Sequence, residues 1–324
     1  MKFLKLLFYT TSLLLISTTA TAQKSQPSRK LGPYTMYEQI IYPAKQQRIM
    51  TYLAHDYTEG RECGTRGNQL AGKYIRENFE KYGLEPFNSE SFYQPFLADS
   101  TTVGRNIVGM IPSSVPSDEY VIVAAHFDHL GMLNGAIYNG ADDNCSGVTA
   151  LLNLADMFGT MKKAKTGPDK NIIFVALDGK EKNMAGSKHF VKNLPIDKKK
   201  ILCAINLERI GTTIEPIHDN DTNFVIILGE HTLRKGDKER LKNCNRYYNI
   251  DLDIDFTFYG SEKFTDLYYK LSDQIIFNNA GIPSLLFTSG FHKHTYKVTD
   301  DPEIISYQVL KKRTILAFYF IMML

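Results

Sequence analysis

YVIVAAHFDHLGMLNGAIYNGADDNCSGVTALLNLADMF (120–158) is the stretch that decides the fold. Its first eight residues, YVIVAAHF (120–127), are a β-rich and nearly unbroken apolar run, the pattern of a strand covered on both faces. From about Ser146 the pattern changes. Val148, Leu151, Leu152, Ala155 and Phe158 recur at helical spacing. NIIFVALD (171–178) and ILCAINLE (201–208) repeat the strand pattern, and NFVIILG (223–229) and IPSLLF (282–287) add two more strands. Upstream, Gly67 to Tyr82 reads as a helix with Leu70, Ala71, Tyr74, Ile75 and Phe79 on one side and Gly83 as its stop. Strand and helix alternating in this rhythm predict an α/β fold: a single globular domain with a mixed, mostly parallel sheet sandwiched between helices. The final run ILAFYFIMML (315–324) is too short to cross a bilayer and is expected to be a helix docked on the sheet.

In such folds chemistry gathers where the carboxyl ends of the strands open into loops. Here those ends carry His126-Phe127-Asp128, then Asp178-Gly179-Lys180-Glu181, then Asn206-Leu207-Glu208, and the loop after the first strand adds Asp142-Asp143-Asn144. Each alone reads blandly: a surface histidine at a strand end, or an acidic turn beside Gly140. Together on one edge they form a nest of imidazole and carboxylate groups suited to a divalent metal. Asp128, two residues from His126, is placed to fix its tautomer, and Asp143 is expected to support the ligands from outside them.

The ends and the composition bound the rest. MKFLKLLFYTTSLLLISTTATAQ (1–23) has the basic start, short apolar core and Ala20-Thr21-Ala22 ending of an export signal. The expected organisation is therefore a signal peptide (1–22), a flexible lead-in (23–35) and the folded domain (36–324), exported to the periplasm or secreted, with no stable membrane insertion after cleavage. The formal charge of +3 is too small to imply nucleic acid or an anionic membrane. Lys162-Lys163 and Lys198-Lys199-Lys200 read as solvated loops. Cys63, Cys145, Cys203 and Cys244 show no Cys-x-x-Cys spacing, which excludes a zinc ribbon and leaves any disulfide pairing open.

GADDNCSG (140–147) resembles the GADDNASG signature of secreted two-zinc exopeptidases, the superfamily of bacterial leucyl aminopeptidases, glutaminyl cyclases and the transferrin receptor. GRECGTRG (60–67), VAAHFDHLG (123–131), FVALDGKEKNMAGS (174–187), INLERIG (205–211) and SDQIIFNNAGIPSLLFTSG (272–290) follow in the family's order. The resemblance implies two zinc ions ~3.5–4 Å apart clamping a water and a peptide carbonyl. It implies that Asp142 bridges them with its bond to Asp143 cis, that His126 and Glu208 hold one ion, and that Glu181 and a histidine near the C-terminus hold the other.

Three positions depart from that pattern. Lys180 stands where the general-base glutamate belongs; an ammonium has no lone pair to accept a proton, and neighbouring carboxylates should raise its pKa. In GFHKHTYKVTDDP (290–302) Tyr296 falls at the histidine-ligand position, with His294 as a substitute two residues away and His292 as a surface or substrate-side residue. Glu208 replaces an aspartate, a mild change, and Cys145 replaces a small residue and reads as an inert buried thiol. Lys180 is expected to neutralise Asp142 and Glu181 where the second zinc would sit, so one zinc is expected in preference to two, with a metal-free centre as the remaining reading. The function readings are a zinc aminopeptidase removing N-terminal residues, with impaired or lost catalysis, and a non-catalytic homologue binding peptides or a protein partner. A glutaminyl cyclase is a weaker third. Residues 213–264 lack matched motifs and are expected to cover the cleft.

Overall fold

The computed structural model describes residues 34–87 and 90–324. The leader and nearly all of the lead-in expected from the sequence lie outside the described residues. The strands in chain order are β1 (Glu85–Pro86), β2 (Tyr93–Leu97), β3 (Val103–Ile111), β4 (Tyr120–His126), β5 (Gly131–Leu133), β6 (Ala136–Tyr138), β7 (Asn171–Leu177), β8 (Ile201–Leu207), β9 (Phe224–Leu228), β10 (Asp253–Asp255) and β11 (Ser284–Thr288). The helices are α1 (Pro43–Leu53), α2 (Arg66–Tyr82), α3 (Gly147–Lys163), α4 (Ala185–Lys192), α5 (Asp237–Tyr247), α6 (Glu262–Tyr269), α7 (Gln274–Asn279) and α8 (Tyr307–Met323).

One sheet runs in the order β1-β3-β7-β4-β8-β11-β9-β10, with β2 also paired to β3, and β5-β6 form a separate hairpin. β7, β4, β8 and β11 are mutually parallel, so their carboxyl ends share one edge. Antiparallel strands flank them: β3 against β7 and β9 against β11. The β1–β3 edge was not among the expected strands.

Buried alternation explains the layers. Val121, Val123 and Ala125 of β4 face the larger core with α1, α2, α3, α5 and α8, whereas Ile122 and Ala124 face Phe190 of α4 and Phe277 of α7. Both faces are covered, which is why these strands read as continuous apolar runs. α2 begins under a Thr65 cap, whose Oγ1 accepts from Asn68 N–H at 3.3 Å, and stops at Gly83 in the left-handed conformation (φ 81°). α8 is the expected docked C-terminal helix, with Leu316 to Ile321 buried. No described helix is long and apolar enough to cross a membrane. All four cysteines are buried and unpaired.

The segment 213–264 is not simply a cover. β9 and β10 extend the sheet and α5 packs on α8, whereas the two ends of the segment, Glu215 and Ile217 with Phe258 and Tyr259, pack together beside the polar edge.

Close packing of α2 on the preceding turn gives a first prediction. A Cβ built on Gly67 would lie 1.9 Å from the Thr58 carbonyl oxygen, a backbone atom. Gly67→Ala is expected to lower stability by about 1–3 kcal/mol, the range for overpacking, read as a fall in the urea midpoint at unchanged m.

Candidate metal centre

The carboxyl ends of β4, β7 and β8 deliver the residues as expected, but with a different company. His126 is fully buried, and its Nδ1 lies 3.0 Å from the backbone oxygen of Asp128. That leaves Nε2 facing Asp143 Oδ1 at 3.4 Å, and neither of these two buried atoms has a hydrogen-bond partner among the described residues. His126, Asp143 and Glu208 are the one group of three or more histidine, cysteine and acidic side chains, among the described residues, that could share an ion.

Asp142 must therefore be reassigned. In the irregular turn Ala141–Ser146 the two adjacent aspartates point opposite ways. Asp142 Oδ1 accepts from Gly211 N–H at 2.7 Å and its Oδ2 lies 3.1 Å from His292 Nε2, away from His126. The cis peptide is Asp143–Asn144, one residue later than the resemblance implies for Asp142–Asp143. Asp143, read as an outer partner, is the carboxylate at the centre. Asp300 fixes the turn, accepting from the N–H groups of Asp142 and Asp143 at 2.8 and 3.0 Å.

Asp128 supports the centre differently from the expectation. Its backbone oxygen makes the closer contact with the imidazole, while carboxylate Oδ1 lies 3.7 Å from the same Nδ1. The carboxylate oxygens accept the N–H groups of Lys180 and Glu181, each at 3.0 Å, and so hold the loop after β7. Asn144 joins three segments: its Nδ2 donates to the carbonyls of His126 and Leu207 at 3.1 and 2.9 Å, and its Oδ1 accepts from Arg209 N–H at 3.0 Å.

Two cations enter this acidic nest. Lys180 Nζ donates to Glu181 Oε1 at 2.8 Å and to the Tyr296 hydroxyl at 3.2 Å. Burial works against its charge, yet Asp143, Glu208 and Glu181 outweigh that effect and raise its pKa. It stays protonated and cannot accept a proton. Lys180 thus neutralises Glu181 together with Asp143, not Asp142. Burial and then Asp143 raise the Tyr296 phenol, which keeps it neutral and a poor ligand. His294 bonds Thr299 Oγ1 at 2.8 Å and stands outside the group of three.

Arg209, quoted within INLERIG but given no role from sequence, is the second cation. Its guanidinium donates to Glu208 Oε1 at 2.5 Å and to Asp143 Oδ2 at 3.4 Å. Ser272 takes the other Glu208 oxygen. Burial opposes the charge on Asp143, but Arg209 and Lys180 hold its carboxyl well below the usual range. The sequence signal for Arg209 was available: a charged residue immediately after a buried strand end must face the polar edge or be paired.

Tested against a metal, these residues divide. His126 Nε2 and Asp143 Oδ1, buried, uncommitted and side by side, fit an ion with Glu208 as third donor. The set combining Asp143 and Glu181 with position 296 does not fit a second, because Lys180 occupies the glutamate and a neutral phenol stands where a histidine would be needed. Zinc at the first position would polarise a carbonyl as a Lewis acid.

An α/β sheet carrying imidazole and carboxylates on its parallel edge defines the class of zinc-aminopeptidase-like proteins. The family model for peptidase family M28 matches residues 106–321, and the chain belongs to that family. The chain is 27% identical over 168 residues to the alkaline phosphatase isozyme conversion protein of Escherichia coli, covering 47% of this chain and 47% of that protein. It spans less than half the length of the curated relatives it matches. Among solved structures, LapB from Legionella pneumophila superposes with a TM-score of 0.71 at 19% identity, over 92% of this chain and 76% of LapB. BSAP, a zinc aminopeptidase from Bacillus subtilis, gives 0.67 at 15% identity over 86% and 94%. Membership of a family of zinc peptidases suggests zinc as the metal.

Proposed function

We propose that this protein binds peptides at an M28 peptidase centre without hydrolysing them at an enzyme's rate. One observation carries the reading: Lys180, at the position of the general base, is a buried ammonium bonded to Glu181 and Tyr296. Hydrolysis needs a group that takes a proton from water, and loss of a positioned base typically costs ~10²–10⁴-fold in rate. An aromatic ledge beside the centre supports peptide binding. Phe258, Tyr268 and Phe291 pack on one another, Phe291 reaches Tyr296, and Phe264 and Leu267 of α6 are exposed next to them.

The expected result with aminoacyl chromogenic substrates and added zinc is turnover at least ~10²-fold below the roughly 10 s⁻¹ of typical enzymes. Calorimetric titration with unmodified peptides is expected to show saturable binding. Hydrolysis at typical rates, abolished by a chelator, would favour the second reading, a one-zinc aminopeptidase, for which the uncommitted His126 Nε2 and Asp143 Oδ1 speak. We further place the protein outside the cytoplasm, on the export-signal pattern of residues 1–23. N-terminal sequencing of the exported protein is expected to begin at Gln23, and a chain retained in the cytoplasm with residue 1 intact would refute it.

A further inference from the structure

We propose that the guanidinium of Arg209 is a built-in counter-ion for Asp143 and Glu208, so that the acidic centre is stable without a metal and a divalent ion at His126, Asp143 and Glu208 must compete with it. This inference rests on the reading of the centre as non-hydrolytic and extends it to the metal itself.

The geometry is specific to this side chain. Arg209 follows Glu208 directly and adopts φ 50°, which brings its side chain back over its neighbour's carboxylate. Its backbone is pinned on both sides: the N–H donates to Asn144 Oδ1 at 3.0 Å, and the carbonyl accepts from Ser289 N–H at 2.6 Å. The guanidinium carbon sits 4.3 Å from the centre of the Phe291 ring, which shields it from water. Arg209 is 5% exposed, and its Nε has no hydrogen-bond partner among the described residues, so the group is held by the two carboxylates and not by a saturated network.

Charge decides the consequence. Three buried or half-buried carboxylates, Asp143, Glu208 and Glu181, face two permanent side-chain cations, Lys180 and Arg209. Acidic groups packed this closely require positive charge. Here it is already covalently attached, and Arg209 takes one oxygen from each of two candidate ligands. A dication arriving between His126 and Asp143 meets a guanidinium on the same carboxylates. Repulsion from one unit charge at 4–6 Å is worth ~10–1000-fold in the occupancy of a neighbouring charged site.

The test measures metal, not turnover. Purified full-length exported protein is dialysed against a chelator, its zinc counted by mass spectrometry, and zinc affinity obtained by competition with a chromophoric chelator. Thermal melts are run with chelator and with zinc chloride. Wild type is expected to retain no zinc, to melt at the same temperature in chelator as in untreated buffer, and to bind zinc more weakly than ~1 µM, against nanomolar or tighter for structural zinc sites. Arg209→Met is expected to bind one zinc ~10–1000-fold more tightly than wild type, and to gain melting temperature on adding zinc. Wild type that keeps one zinc equivalent and loses melting temperature in chelator overturns the proposal, as does an Arg209→Met protein with unchanged zinc affinity. If Arg209→Met does not fold, the wild-type measurements decide alone. Peptide hydrolysis by a wild type that binds zinc weakly would sink the non-hydrolytic reading and leave the counter-ion assignment standing.

Discussion

A Lys180→Glu, Tyr296→His, Arg209→Met triple variant supplied with zinc is expected to hydrolyse aminoacyl chromogenic substrates at least ~10²-fold faster than wild type. Each change removes one named obstacle. Lys180→Glu replaces an ammonium that cannot take a proton with a carboxylate that can, on a loop already positioned by the carboxylate of Asp128. It also releases Glu181 from its 2.8 Å ion pair. Tyr296→His replaces a neutral phenol with an imidazole at the place where Lys180 and Tyr296 now meet at 3.2 Å. Arg209→Met frees Glu208 and Asp143 for a metal. The same substitutions without zinc are expected to destabilise the protein, because removing both cations and adding a carboxylate leaves buried negative charge uncompensated, a change worth about 3–5 kcal/mol for each broken buried pair. Zinc should restore that loss, so the melting temperature and the rate should rise together along one zinc titration. Gain of stability with no gain of rate would show that the centre binds metal again but lacks a further catalytic part. No gain of either would refute the assignment of these three residues as the obstacles.

The sheet was legible because its central strands are buried on both faces, which forces an apolar run such as NIIFVALD, short and β-branched enough to set it apart from a buried helix. Their direction was legible only in part. The crossovers through α3 and α4 make β4, β7 and β8 parallel, but nothing in FVIIL states that β9 pairs antiparallel with β11. The polar edge followed from the strand ends, and with it His126, Glu181 and Glu208 as neighbours of one centre. Asp142 against Asp143 did not follow. In a strand, alternation would have decided which faced inward, but at Asp143 (φ −107°, ψ 84°) the turn is neither helix nor strand, and two identical residues side by side carry no periodic signal. His292 and Asp300 lie in the stretch GFHKHTYKVTDDP, but its spacing says nothing of their target: they hold Asp142 and its turn from 150 and 158 residues away, a tertiary contact only the folded chain makes. Arg209 was passed over for a simpler reason: a sequence neighbour of a ligand position reads as a spacer, although a charge directly after a buried strand end must face the polar edge or be paired.

Arg61→Met is expected to cost about 3–5 kcal/mol, at the upper end for a single substitution and a large share of the ~5–15 kcal/mol stability of a typical domain. GRECGTRG reads as an opening motif of the fold, and the structure gives its arginine a framing task. Arg61 is 1% exposed, and its hydrogen bonds go to carbonyl oxygens: Nε to Phe127 at 2.8 Å, one terminal nitrogen to Leu53 at 2.7 Å and Asn139 at 2.6 Å, the other to Gly140 at 3.2 Å. These carbonyls belong to the end of α1, the loop after β4 that follows His126, and the turn that leads into Asp142 and Asp143. A planar fork of five donors is the side chain that can satisfy all of them at once. Methionine keeps much of the volume but removes all four bonds; Leu53 O retains the Thr58 hydroxyl and Gly140 O the Cys145 N–H, whereas the buried Phe127 oxygen is left without its donor, an unsatisfied group costing about 1–3 kcal/mol on top of the lost bonds. Partial relaxation of two loops keeps the total below the sum. Arg61→Lys is expected to recover less than half, since a single ammonium cannot span the same oxygens. Gly60 shows how tightly the frame is closed around this arginine: a Cβ there would lie 2.5 Å from the Gly131 carbonyl oxygen, at φ 64°. Urea denaturation with unchanged m distinguishes a true loss of stability from an altered unfolded state. A shift below ~1 kcal/mol would mean that the loops bearing His126 and Asp143 are held by their own contacts, the Asn144 and Asp300 bonds, and not by the arginine between them.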